Sequence, residues 1–104
     1  MGETVQTKQL IKNALIGLCQ KQSFRKISVQ KITHEAKINR QTFYYHFTDK
    51  YDLLRWVYYE DCLHYLDPQA LSLDNWEEQA LKMLKAIAEQ KEFYANTVFS
   101  DQKI

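Results

Sequence analysis

A chain of 104 residues makes one domain, or one small domain and part of another, and with only two Gly and one Pro it lacks the turn residues of a sheet-rich fold, so it reads as all-α. No apolar run approaches a membrane span, Met1-Gly2 lacks the downstream Ser or Thr of a myristoylation signal, and Cys19 and Cys62 sit in apolar settings that suit reduced core thiols, which together predict a cytoplasmic protein. The net charge of +1 hides an asymmetry: residues 1–50 hold nine Lys and Arg against three acids and residues 51–104 hold five against ten, which suits a module that docks a polyanion with one face, a merely solvated bias being the plainer alternative.

From Thr7 to about Gln22, Leu10, Ile11, Ala14, Leu15, Leu18 and Cys19 form a single helical stripe, with Thr4 and Thr7 as candidate N-caps. Gly17 costs this helix about 1 kcal/mol relative to Ala and would allow a neighbour to approach closely. In the connection Lys21 to Ile27, Phe24 and Ile27 are predicted to turn inward, leaving Arg25 and Lys26 to water or phosphate. Ser28 then caps a short second helix with Val29, Ile32 and Ala36 inside and Gln30, Lys31 and Thr33 outside. Lys37-Ile38-Asn39 is a break short enough to be a helix-turn-helix corner, with Ile38 plugging the angle and Asn39 capping the third helix, residues 39–47. Phe43 and Phe47 share its buried side. Arg40, Gln41, Thr42, Tyr45 and His46 lie on or near its outer side, with Tyr44 at the boundary.

Thr48 or Asp49 caps a fourth helix, with Asp52 in its first turn, and its apolar residues from Leu53 to Leu66 predict a long connecting rod ended by Asp67-Pro68. Asp74-Asn75-Trp76-Glu77 has the look of a capping box opening a fifth helix with Trp76, Ala80, Leu81, Leu84, Ile87 and Ala88 as its inner stripe. A sixth helix is predicted near Phe93. Helices four and five lack partners enough to cover both, so the chain is expected to be part of a longer one or to be completed by other chains.

Three short helices with a three-residue corner and a basic, hydroxyl-rich third helix make a helix-turn-helix. The runs Thr42-Phe43-Tyr44-Tyr45-His46-Phe47 and Asp49-Lys50-Tyr51-Asp52-Leu53-Leu54 resemble the signature of the TetR family of transcriptional regulators, over roughly residues 7–55. The wording from Ile38 to Phe47 is similar to a subgroup that includes activators of dihydroxyacetone kinase operons. The resemblance implies a DNA-binding domain over residues 1–50 and the start of a helical regulatory and dimerisation domain over residues 51–104. It implies a homodimer whose third helices enter successive major grooves of double-stranded operator DNA, under the control of a small effector or a partner protein, with no membrane, cofactor or metal. Site residues carry over one at a time. Ser28, Gln30 and Lys31 match the start of helix two, where side chains reach phosphate. Arg40, Gln41 and Thr42 match the opening of the recognition helix, where Arg pairs with guanine, Gln with adenine and the Thr methyl with thymine. Tyr44, Tyr45 and His46 match phosphate-contacting positions, and Lys50 matches a lysine that meets the DNA backbone. One residue departs from the family pattern: Lys37 stands where Gly is common, which predicts a left-handed lysine at a cost of about 1 kcal/mol.

Other chemistry is weaker. Cys62 and His64 do not share a helix face, capping explains Asp49 and Asp52, and His46 has no nucleophile beside it, so no enzyme is predicted. The aromatics Trp56, Tyr58, Tyr59, Tyr65, Trp76 and Phe93 are read as inter-helix packing ahead of effector contacts. The rival to a DNA reader is a helical protein-interaction module using the same exposed face.

Overall fold

The computed structural model describes residues 2–99, all helix and connection with no strand among them; Met1 and the closing run from Ser100 to Ile104 lie outside. Six α-helices follow in order: α1 (Gly2–Cys19), α2 (Val29–Ala36), α3 (Arg40–His46), α4 (Lys50–Asp61), α5 (Trp76–Glu89) and α6 (Lys91–Phe99). Two 3-10 turns, Phe24–Lys26 and Leu63–Leu66, join α1 to α2 and extend α4.

One apolar cluster runs through the molecule and crosses the boundary expected after residue 50. Ile11, Leu15 and Leu18 of α1 meet Phe24, Ile27, Ile32, Phe43 and Phe47, and the cluster continues through Leu53, Val57 and Cys62 to Phe93 and Tyr94 of α6. Helix α1 is its axis, packing on α2 and α6. It starts earlier than its apolar stripe, so Thr4 and Thr7 lie within the helix and not at its N-cap. Leu10 is 51% exposed, because it trails Ile11 by about 100° and falls outside the buried arc. Gly17 admits no close neighbour either: a Cβ placed there would meet nothing within 4 Å.

The expected rod is shorter than its pattern. Helix α4 stops at Asp61, and Cys62 leaves helical geometry at φ −145° and ψ −40°. The cause is local: His64 Nδ1 donates to the Tyr59 carbonyl at 3.0 Å, and the Tyr59 hydroxyl donates to Asp67 at 2.7 Å, folding the end of the helix back. Asp67 then caps the second 3-10 turn rather than an α-helix. Helix α5 also departs from expectation, since Asn75 makes no side-chain cap and instead accepts from Ser72 N at 2.8 Å. Its predicted inner residues Trp76, Leu81 and Leu84 are exposed, as is Ala88, while Met83, Ala86 and Ile87 touch the core cluster.

Candidate nucleic-acid interface

Local chemistry sets the corner between α2 and α3. Ser28 caps α2, its Oγ accepting from Lys31 N at 3.1 Å. The helix ends in a Schellman arrangement: Lys37 is left-handed at φ 62° and ψ 43°, Lys37 N donates to His34 O, and Ile38 N donates to Thr33 O at 3.0 Å. Lys37 is the one non-glycine residue of positive φ among the described residues, as its departure from the family's Gly predicts. Ile38 packs half-buried against the core, and Asn39 Oδ1 accepts from both Thr42 N at 2.8 Å and Thr42 Oγ1 at 2.9 Å. Thr33, predicted outside, is buried, because its hydroxyl donates to Gln30 O at 3.1 Å and carries no unmet polar demand inward.

Helix α3 is anchored by Phe43 and Phe47, both buried with ring centroids 5.7 Å apart. Its outer side carries Arg40, Gln41 and Tyr45, all exposed, with Tyr45 at 82% and lying edge-on to His46. Tyr44 is half exposed and rests edge-on against Phe43 at 5.4 Å, a boundary position as expected. Thr42 and His46 are half-buried, and the Thr42 hydroxyl is engaged by Asn39, which leaves its methyl as the group it can offer. From α2, Ser28, Gln30 and Lys31 are exposed beside this face, and Ser28, Gln30, Lys31, Asn39 and Arg40 share the lining of one open groove of about 640 Å³.

Lys50 is directed differently from the others. Its ammonium donates to Phe24 O and Ile27 O, each at 2.8 Å, and lies 4.4 Å from the Phe24 ring centroid. It therefore closes the 3-10 turn ahead of α2. Lys31 Nζ holds the same turn from outside, donating to Lys26 O and Gln22 Oε1, both at 3.1 Å. Arg25 and Lys26 stand exposed on this clamped turn. Helix α4 starts from a reciprocal cap in which Asp49 Oδ1 accepts from Asp52 N and Asp52 Oδ2 from Thr48 N, so both carboxylates are structural. Burial pushes the Cys19 thiol up to about 11 against the opposing pull of Lys50, which keeps it protonated and inert at neutral pH.

Pattern reading missed Asn96. Its carboxamide reaches back from α6, Oδ1 accepting from Phe24 N at 2.9 Å and Nδ2 donating to Cys19 O at 2.9 Å and Gln22 O at 3.0 Å. A polar residue on the inner side of α6 is the one signal the sequence carried for it.

Capped α2, left-handed corner and exposed α3 define a helix-turn-helix protein. Residues 11–57 match the family model described as bacterial regulatory proteins, tetR family. It is similar to the HTH-type dhaKLM operon transcriptional activator DhaS of Lactococcus lactis subsp. lactis (strain IL1403), with 29% identity over 98% of this chain and 54% of that protein. It is also similar to the uncharacterized HTH-type transcriptional regulator YxbF of Bacillus subtilis (strain 168), with 28% identity over 81% of this chain and 24% of that protein. Among solved structures, dihydroxyacetone kinase operon activator DhaS shares 30% identity and a TM-score of 0.73, covering 95% of this chain and 55% of that one. The chain thus spans about half the length of DhaS and about a quarter of YxbF. These relatives are transcriptional regulators, a non-enzymatic class, and no helix of the described residues is long and apolar enough to cross a membrane.

Proposed function

We propose that this chain is the DNA-reading portion of a tetR-type transcriptional regulator, working in the cytoplasm on the chromosome. It binds operator DNA as a homodimer, with α3 in the major groove and residues 1–50 acting as the head of a longer regulatory unit. The observation that carries this reading is the preset outer face of α3, where Arg40, Gln41 and Tyr45 stand exposed on a helix whose start is fixed by Asn39 and whose back is fixed by Phe43 and Phe47. Arg40 and Gln41 read base edges, the Thr42 methyl meets thymine, and Ser28, Gln30, Lys31, Tyr44, Tyr45 and His46 engage phosphates. Lys50 supports affinity from within, by holding the turn that presents α2. The residues after 50 start the helical domain through which a small effector or a partner protein sets the spacing of two heads. The likeness to DhaS makes a dihydroxyacetone kinase operon the first target to test.

The test is a gel shift of the chain on DNA upstream of its own gene and of neighbouring kinase genes, with unrelated competitor, at two salt concentrations. A DNA reader binds in the presence of competitor and loses affinity steeply with salt, at about 0.9 in log-log slope per phosphate contacted. Arg40→Ala relaxes base preference, at a cost of about 1–3 kcal/mol on the preferred site. Binding that ignores sequence and salt would instead favour a protein-interaction module.

A further inference from the structure

The connection between α1 and α2 is held by groups from three directions, and one comes from the far end of the chain. Asn96 spends its whole carboxamide there: the oxygen takes the N–H of Phe24, and the nitrogen's two protons go to the carbonyls of Cys19 and Gln22. Those three backbone groups take no bond from the backbone of the connection itself. Cys19 is the last residue of α1 and Phe24 the first of the 3-10 turn, so the carbonyl of the one and the N–H of the other have no intrahelical partner. On the other side of the turn, Lys50 takes the carbonyls of Phe24 and Ile27. Ser28, which caps α2, follows directly, and Lys31 ties the first turn of α2 to Lys26 and Gln22. The pose of the α2 N-terminus is thus set by a short segment with α6 on one flank and α4 on the other.

We propose that Asn96 is a positioning residue for DNA binding, through which α6 fixes the α1–α2 connection and, with it, the phosphate-facing N-terminus of α2. The inference rests on the DNA-reading function proposed above. Asn96 touches no DNA itself, and its effect is confined to α2. The α3 corner is built separately, from Lys37, Ile38 and Asn39, so base preference does not depend on Asn96.

The experiment compares the unaltered chain with Asn96→Ala, Lys31→Ala and the double variant, on operator DNA selected by the unaltered chain from a random duplex library. Affinity is read across a salt series well below the melting temperature of every variant, with Asn96→Ser as a milder form should Asn96→Ala not fold. The expected result is about a tenfold loss for Asn96→Ala, equal on preferred and altered sites, with a shallower salt slope by roughly one phosphate contact. Lys31→Ala then costs less in the Asn96→Ala background than alone, because both act on the same end of α2. Amide exchange in the free protein should rise at Phe24 and through the first turn of α2. A merely structural Asn96 would lower the melting temperature while leaving affinity and salt slope unchanged and the two losses additive; that result overturns the proposal and leaves the DNA-reading function standing. An unaltered chain that selects no DNA overturns both.

Discussion

The helix-turn-helix segment and α5 both carry amphipathic patterns, and they dispose of them differently. Ile11, Leu15, Phe24, Ile32, Phe43, Leu53 and Val57 are sealed, each at 0% exposure, whereas no residue of α5 is buried and Trp76, Leu81 and Leu84 stand at 50%, 62% and 56%. Periodicity identifies a face in both regions. Burial requires an opposing surface, which α1 supplies to α2 and no described element supplies to the outer side of α5.

Mutations should divide along that line. Phe43→Ala, which empties the contact between α3 and the core, is expected to cost about 3–5 kcal/mol in denaturant unfolding, enough to abolish a small domain. Lys50→Ala should cost about 1–3 kcal/mol, since it strands the part-buried Ile27 carbonyl, takes one of two donors from the Phe24 carbonyl and removes a cation from the Phe24 ring. Two backbone changes should stabilise by about 1 kcal/mol each, read as a raised Tm: Lys37→Gly relieves a left-handed side chain, and Gly17→Ala fills open space in a helix. The smallest effect belongs to α5, where Leu81→Lys with Leu84→Lys should change the stability of this chain by about 0.5 kcal/mol or less. A large loss there would break the comparison, by showing that the outer face of α5 is covered in solution.

The division also explains what could be read in advance. Caps are written in adjacent residues, so Ser28 and Asn39 were legible and Asp49 was one of two candidates with Thr48, whereas the left-handed Lys37 was legible only through the resemblance to a family with Gly at that corner. Phe43 and Phe47 were legible because four residues make one turn of helix. Thr33 was not, because its burial depends on a hydroxyl that turns back to its own helix. The early end of α4 was not, because it turns on which donor takes the Tyr59 carbonyl, His64 or the next amide. Lys50 was placed in the right helix position and given a phosphate, although the carbonyls it meets lie more than twenty residues earlier. Pairings of that range have no periodic trace.

Asn96 carries a consequence for the order in which the molecule is made. Its partners lie 72 to 77 residues earlier in the chain. A polypeptide leaving the ribosome from its N-terminus exposes α1 to α4, with their corner and caps, well before residue 96 emerges. The Phe24 amide and the Cys19 and Gln22 carbonyls therefore stay with water until α6 arrives, and the connection ahead of α2 is the last part of the helix-turn-helix to set. The nascent chain has α3 and its corner early, and gains the Asn96 hold on the connection ahead of α2 only once residue 96 has emerged.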